Sequence, residues 1–344
     1  MTYCIMQSPR YLRVYLERSG DIAINELIFA TQHLSGPAAD IRMADIGGIP
    51  YILFEKDELL TSEDIQLLSR LSFAYAIFEM RSGLIAPVSR ECNYFISEDI
   101  SAILKYAGKT NEIFTRLMLN LAIAHCKDKT PRLLDPMAGK GTTLYEGLMQ
   151  GLDVHGVEID PKPVYESFVY IKKHLEMAKY KHTSHTEKTG GADESGKKFT
   201  ATRYQVEMSR SKDEKRTGQT RNFEIIAGDT RHAGALFKKN FFNIIVADLP
   251  YGVHHGAKKK PKEAGLTRNA LGLIKEAMPG WVKVLKPGGV IVLAWNLFLI
   301  PRAEMETLLG ENGIVVPEEM AGLDFSHRLD QATHRDLIVG VYPR

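Results

Sequence analysis

The sequence predicts an α/β chain: a mostly parallel sheet covered by helices on both faces, preceded by a small α+β unit. Three observations carry this. From residue 132 onward, short apolar runs alternate repeatedly with segments of helical period. Several of those runs end on an acid followed by a turn and a helix. Before residue 90 the runs are shorter and mix strand and helix in an order that suits a separate small domain. A length of 344 residues agrees with one large core and one smaller one.

Residues 1–90 open on a segment, 11–16, that alternates like a strand. Asp21 then caps a helical stretch with Ile22, Ile24, Leu27 and Ile28 apolar. Residues 51–54 form a compact strand, Thr61 opens a helix, and 73–79 return as a strand. Residues 91–125 are a linker and a helix starting near Thr110, with Ile113, Phe114, Leu117, Met118, Leu121 and Ala122 on one face. The large domain, 126–344, places strands at 132–135, 154–158, 223–227, 242–247, 290–295, 314–316 and 337–342. Helices at 142–150, 161–178, 271–285 and 301–309 lie between them. One stretch, 180–222, breaks the alternation; it is polar, with a local excess of positive charge. Two readings stay open for it, a solvated flexible insertion or, from the alternation at 198–208, a hairpin.

Composition narrows the function classes. Apolar residues make up 44% and charged residues 25%, ordinary for a soluble globular chain. The net charge of +2 does not by itself announce a nucleic-acid partner. Cys4, Cys92 and Cys126 form no CxxC pair, which disfavours a disulfide framework or a cysteine-rich metal site and suits a reducing compartment. No metal is expected. The first ten residues hold no apolar core suited to export, and the longest apolar run, near 290–300, is broken by Asn296. A cytoplasmic location away from membranes is the expectation.

The stretch "LLDPMAGKGTT" at 133–143 reads as strand, acid, glycine-bearing turn and helix. A phosphate-binding loop needs Ser or Thr after its lysine, yet Gly141 follows Lys140. A dinucleotide fingerprint needs glycine at 144, which is Leu. An acid at the strand end, Asp135, opposes a pyrophosphate but suits a cationic cofactor. S-adenosylmethionine fits, because its sulfonium and amino groups are positive. Gly139 and Gly141 let backbone approach it closely. Glu158 ends the second strand, where a carboxylate accepts both ribose hydroxyls. Asp229 ends the third, within reach of the adenine amino group. The expected cofactor-binding set completes these with Thr110, Pro136, Ala138 and Thr142 around the turn. Ile159 beside Glu158, and Gly228 and Thr230 beside Asp229, close the set.

The fourth strand ends in Asp248, Leu249, Pro250 and Tyr251. An exocyclic amine is a poor nucleophile because its lone pair is delocalised into the ring. Hydrogen bonds from its N–H groups to the Asp248 carboxylate and the Leu249 carbonyl pull the nitrogen toward tetrahedral geometry and aim it at a methyl donor. Pro250 fixes the carbonyl's direction, and Tyr251 offers a face on which an unstacked base can lie.

Together, "DPMAGKGTT" and "DLPYG" resemble the class I methyltransferases that modify exocyclic amines. The chain looks most like the tRNA guanine-N2 enzymes, over about residues 108–344. The resemblance implies a Rossmann-like class I methyltransferase sheet, RNA (tRNA) as partner, and a preceding ferredoxin-like module. Relatives often add a THUMP domain, for which about a hundred residues leave no room, so the expectation is that it is missing. His254, His255 and Lys258 to Lys260 are candidates for RNA phosphates or, equally, a solvated charge run; the resemblance adds His327, Arg328, His334 and Arg335, for which sheet-edge packing is the safer reading. Trp295 reads as core. Two alternatives stay open: an N6-adenine methyltransferase acting on DNA or RNA, and a catalytically silent nucleic-acid-binding protein of the same fold.

Overall fold

The structure, a computed structural model, describes residues 1–9, 19–90, 92–103, 111–192, 196–250 and 270–344. The alternating segment expected at 11–16 lies outside these.

Two sheets organise the chain. The first is built from β1 (Thr2–Gln7), α1 (Ser19–Thr31), β2 (Ala38–Ile46), β3 (Ile49–Lys56), α2 (Ser62–Ser69), β4 (Ala74–Arg81) and β5 (Leu84–Val88). Its strand order is β2-β3-β1-β4-β5, all neighbours antiparallel. Setting β1 between β3 and β4 gives the expected ferredoxin-like order, to which a hairpin adds β5 at the edge. Thr61 starts α2 as the sequence predicts, through a reciprocal capping box with Asp64.

The connecting helices are α3 (Asp99–Ile103) and α4 (Glu112–His125). The cap of α4 is Asn111, whose side chain accepts from the Ile113 N–H, one residue later than the Thr110 start expected. Both residue types cap well, so the pattern alone does not separate neighbours. Thr110 itself lies outside the described residues. Asn120 of α4 joins the two sheets, donating to Glu26 Oε1 of α1 (2.9 Å) and to the Arg70 carbonyl after α2 (2.8 Å). Complete burial raises the pKa of Glu26 against these hydrogen bonds.

The second sheet contains β6 (Arg132–Asp135), β7 (Asp153–Glu158), β8 (Lys181–Ala192), β9 (Lys198–Ser209), β10 (Arg221–Ala227), β11 (Phe242–Asp248), β12 (Leu285–Asn296), β13 (His327–Arg328) and β14 (His334–Val341). Its order is β13-β14-β12-β11-β6-β7-β10-β9-β8. The strands β12, β11, β6, β7 and β10 are mutually parallel, and antiparallel β14 and β9 flank them. Helices α5 (Thr142–Met149), α6 (Pro161–Met177), α9 (Ala270–Val284) and α10 (Arg302–Glu311) fill the connections, with short α7 (Lys212–Arg216) and α8 (Ala233–Leu236). Side chains alternate between faces: Val154, Ile225, Ile244 and Val246 join one core, and Val157, Ile226, Ile245 and Ala247 the other. This is the α/β, class I methyltransferase architecture that the sequence predicts.

Two strand expectations change. Residues 314–316 do not form a strand; Val315 makes only an isolated bridge with Val341. The 180–222 stretch is a hairpin added to the sheet, paired from Lys181↔Ser209 to Ala192↔Lys198. The flexible reading fails because β9 has an apolar side: Val206 and Met208 are each 1% exposed, and Tyr204 packs on Phe168 of α6 at 5.0 Å. No described helix is long and apolar enough to cross a membrane.

Candidate active site

The site follows from strand order. From β6 the chain winds through β7 and β10 in one direction, and from β11 through β12 in the other. The switch lies between β6 and β11, where open α/β sheets bind ligands beyond the strands' carboxyl ends. These two strands pair in register, Leu133↔Ile244 and Leu134↔Ile245. Asp135 and Asp248 therefore end adjacent parallel strands on the same rim, and Glu158 ends the next strand, β7.

The turn after β6 is held by its own backbone. Asp135 Oδ1 accepts from the Met137 N–H (3.0 Å), and the Gly141 N–H donates to the Ala138 carbonyl (2.7 Å). The Ala138 N–H donates to the Val157 carbonyl (2.9 Å), seating the turn against β7. Close packing there requires Gly156: a Cβ on it would lie 2.8 Å from the Ala138 Cβ. Gly139 has φ +51° and Gly141 φ +88°, both left-handed. A Cβ on Gly139 would meet nothing within 4 Å, so this backbone borders open space. Thr142 and Pro136 are buried beside the turn. Lys140 turns outward to Glu166 at 2.7 Å.

Three acids shape the rim's electrostatics. Asp135 is 3% exposed and its pKa is pushed up to about 7, first by burial, then by the neighbouring Asp248 and Glu158 charges, against hydrogen bonds from Thr143 and Met137. Glu158 is shifted upward mainly by burial. Its Oε2 accepts from the Gly139 N–H (3.1 Å) and its Oε1 from the Asp160 N–H (2.9 Å). The Ile159 N–H also bonds this carboxylate, whose two oxygens still keep acceptor capacity for a ligand hydroxyl. Ile159, next along, is 64% exposed, an apolar side chain at the rim.

Asp229 caps the turn after β10 and carries a partner that the sequence did not reveal. Arg231 Nη2 lies 2.6 Å from Asp229 Oδ2, and its Nη1 lies 2.9 Å from Glu276 of α9. This pairing is one cause of Asp229's lowered pKa, against the larger opposing effect of burial. Gly228 donates to the Glu158 carbonyl (2.9 Å), and Thr230 Oγ1 accepts from Trp281 Nε1 (2.9 Å). Both join the rim without facing it as free groups.

At Asp248 the structure adds a residue that the sequence placed elsewhere. Arg335 of β14 approaches with Nη2 3.7 Å from Asp248 Oδ2, and its guanidinium lies 4.3 Å from the ring centroid of Phe114 on α4. Arg335 is 4% exposed. Leu249 is buried, and its N–H donates to the Ala294 carbonyl (2.8 Å), continuing the ladder past Asp248. Pro250 is exposed. Tyr251, His254, His255 and Lys258 to Lys260 lie outside the described residues. The 325–340 stretch packs at the sheet edge: His327 is 2% exposed and its pKa falls to about 4 through burial. Trp295 is core, its Nε1 donating to the Ile300 carbonyl (2.7 Å). Among the described residues no group of three side chains is arranged to hold a metal ion.

Residues 105–289, more than half of the chain, match the family described as UPF0020, RMKL-like, methyltransferase domain. The chain belongs to this family. Comparison of this RMKL-like methyltransferase with curated proteins gives no match. Similar solved structures include TrmN from Thermus thermophilus, at 15% identity and TM-score 0.40, covering 88% of this chain and 59% of that one. The 16S rRNA N2 methyltransferase RsmC of T. thermophilus, in complex with AdoMet and guanosine, is 17% identical with TM-score 0.36, covering 91% and 60%. M. jannaschii TYW2 in complex with AdoMet is 12% identical with TM-score 0.36, covering 78% and 85%. The chain thus spans 59% and 60% of the length of TrmN and RsmC. The rim residues fit S-adenosylmethionine, the methyl donor expected from the sequence, with buried acids for its positive groups, an open backbone at Gly139 and remaining acceptor capacity on Glu158.

Proposed function

We propose that this methyltransferase modifies an exocyclic amine of an RNA base, the N2 amino group of guanine in tRNA. The observation that carries the reading is the Asp248–Arg335 pair at the end of β11, one strand from the Asp135 turn. Bound along the rim, S-adenosylmethionine supplies an electrophilic methyl on a sulfonium. Asp135 and the 136–141 backbone would hold its amino-acid end, to which Thr142 and Thr110 are also assigned, Glu158 would take the ribose hydroxyls, and Ile159 would serve the adenine side. Asp229, already held by Arg231, would offer its remaining acceptor capacity to the adenine amino group.

Asp248 orients the acceptor. As a carboxylate paired with a guanidinium it offers only acceptors. Guanine presents two adjacent donors on one edge, N1–H and N2–H, and so matches it. Adenine presents N6–H beside the N1 lone pair, which a carboxylate repels, and this favours guanine over the adenine alternative. The Leu249 carbonyl takes the other amino hydrogen, Pro250 fixes that carbonyl, and Tyr251 stacks on the base. Attack of the nitrogen lone pair on the sulfonium methyl would form the N–C bond as the C–S bond breaks, with Asp248 stabilising the positive charge growing on nitrogen and then taking its surplus proton.

In this reading residues 1–90 are an RNA-binding or accessory domain, 91–125 link, and 126–344 catalyse. A reducing cytoplasm suits the free Cys4, Cys92 and Cys126. The test is incubation with unmodified total tRNA and labelled cofactor, then digestion and mass analysis of nucleosides. N2-methylguanosine is expected. N6-methyladenosine would move the assignment to adenine, and cofactor binding without turnover would favour a silent nucleic-acid-binding protein.

A further inference from the structure

The base of the β8–β9 hairpin carries a concavity of about 460 Å³ lined by Tyr180, Lys181, His182, Lys212, Lys215 and Arg216, with no acidic side chain in its wall. We infer that this concavity is a second anchor for the substrate, gripping backbone phosphates of a folded RNA far from the reacting base. The inference rests on the RNA reading above and adds a site to it.

Charge accounting singles out this place. Helix α7 contains two acids, and both are engaged: Glu214 with Arg210 at 2.6 Å and Asp213 with Arg216 at 3.4 Å. Among the described residues no carboxylate pairs with Lys181, Lys212 or Lys215, and all three are exposed. Tyr180 forms a fixed wall, its hydroxyl donating to the Phe95 carbonyl (3.0 Å). One further guanidinium, of Arg221, lies 5.5 Å from the Phe95 ring centroid and extends the positive field. Exposed lysines around an open hollow suit a string of phosphates, each neutralised with release of counterions.

Position decides what kind of ligand this is. Lys181 pairs with Ser209, and the adjacent Met208 faces Arg221, the first residue of β10. The anchor is therefore at the amino rim of the sheet, whereas Asp135, Glu158 and Asp248 end their strands at the carboxyl rim. The seven residues of β10 separate the two rims, a span of about 20 Å at roughly 3.3 Å per residue. A nucleoside cannot touch both; a structured RNA can. The hairpin cannot be deleted to test this, because Val206 and Met208 of β9 are core.

The experiment uses the full chain with Lys212→Ala and Lys215→Ala together, both at exposed positions. Binding of fluorescently labelled total tRNA is titrated across salt, and methyl transfer is followed in parallel. The expected result is a Kd at least about tenfold weaker and a log–log salt slope shallower by about two. KM for RNA rises with kcat at saturating RNA unchanged, and cofactor Kd stays as in the wild type. Wild-type RNA affinity and slope in the double variant would overturn the inference. So would an equal loss from Lys238→Ala with Lys239→Ala, which would mean that only total charge matters. A loss seen only on phosphatidylserine vesicles would overturn it in favour of a membrane surface. A wild-type enzyme that neither binds nor methylates RNA removes the proposed function itself, a result read before any variant is made.

Discussion

The buried carboxyl at the end of β6 makes cofactor affinity depend on pH in a direction that can be worked out. Asp135 has a pKa of about 7 in the cofactor-free protein. Positive groups of the cofactor favour its ionised form, so binding draws a proton off it. About a tenth of the carboxyl is ionised at pH 6 and roughly three quarters at pH 7.5. Apparent affinity scales with the competent fraction. The Kd for S-adenosylmethionine should therefore improve about eightfold between these pH values, roughly 1.2 kcal/mol. An α-amino group, with a pKa of about 7.7–8.0, starts to lose its charge only at the top of this window, which trims the gain there. Calorimetry in two buffers of different ionisation enthalpy reads both Kd and the proton released. Asp135→Asn should weaken binding at pH 7.5 and flatten the profile, leaving only what Glu158 contributes. The same shift acts on stability with the opposite sense. A raised carboxyl pKa means that the folded state binds the proton more tightly, so this contribution is full below the unfolded value and is lost as pH rises through about 7. A wild-type Kd that is flat from pH 6 to 7.5, or an Asp135→Asn profile parallel to it, would refute the reasoning.

Three further outcomes are expected. Asp248→Ala should lower kcat by at least about 10²- to 10³-fold, the scale of a lost transition-state contact, with cofactor Kd within twofold of wild type by calorimetry. Arg335→Met keeps volume but removes the cation beside Asp248; kcat should fall about ten- to a hundredfold in a single-turnover assay while cofactor Kd holds. Gly141→Ala places a side chain at φ +88° with its Cβ 3.0 Å from Ser167 Oγ. It should cost about 1–2 kcal/mol in denaturant unfolding and weaken cofactor binding.

The local parts of this protein are written in its sequence. Short continuous apolar runs that end on Asp135, Glu158 and Asp248 specify strand, direction and rim, because a buried strand's composition and its turn chemistry depend on near neighbours. The glycines at 139 and 141 are equally local, set by backbone sterics. What the sequence left open depends on partners distant along the chain. The 180–222 stretch reads as polar, and only packing of Tyr204, Val206 and Met208 on α6 makes it a hairpin. Asp229 looks like a bare strand-end acid until Arg231 and Glu276 fold beside it. Arg335, 87 positions after Asp248, reaches it because β14 pairs antiparallel with β12, setting Arg335 opposite Asn296. Composition cannot encode that register; it is chosen by the shape of the assembled sheet and the Phe114 ring on which the guanidinium rests.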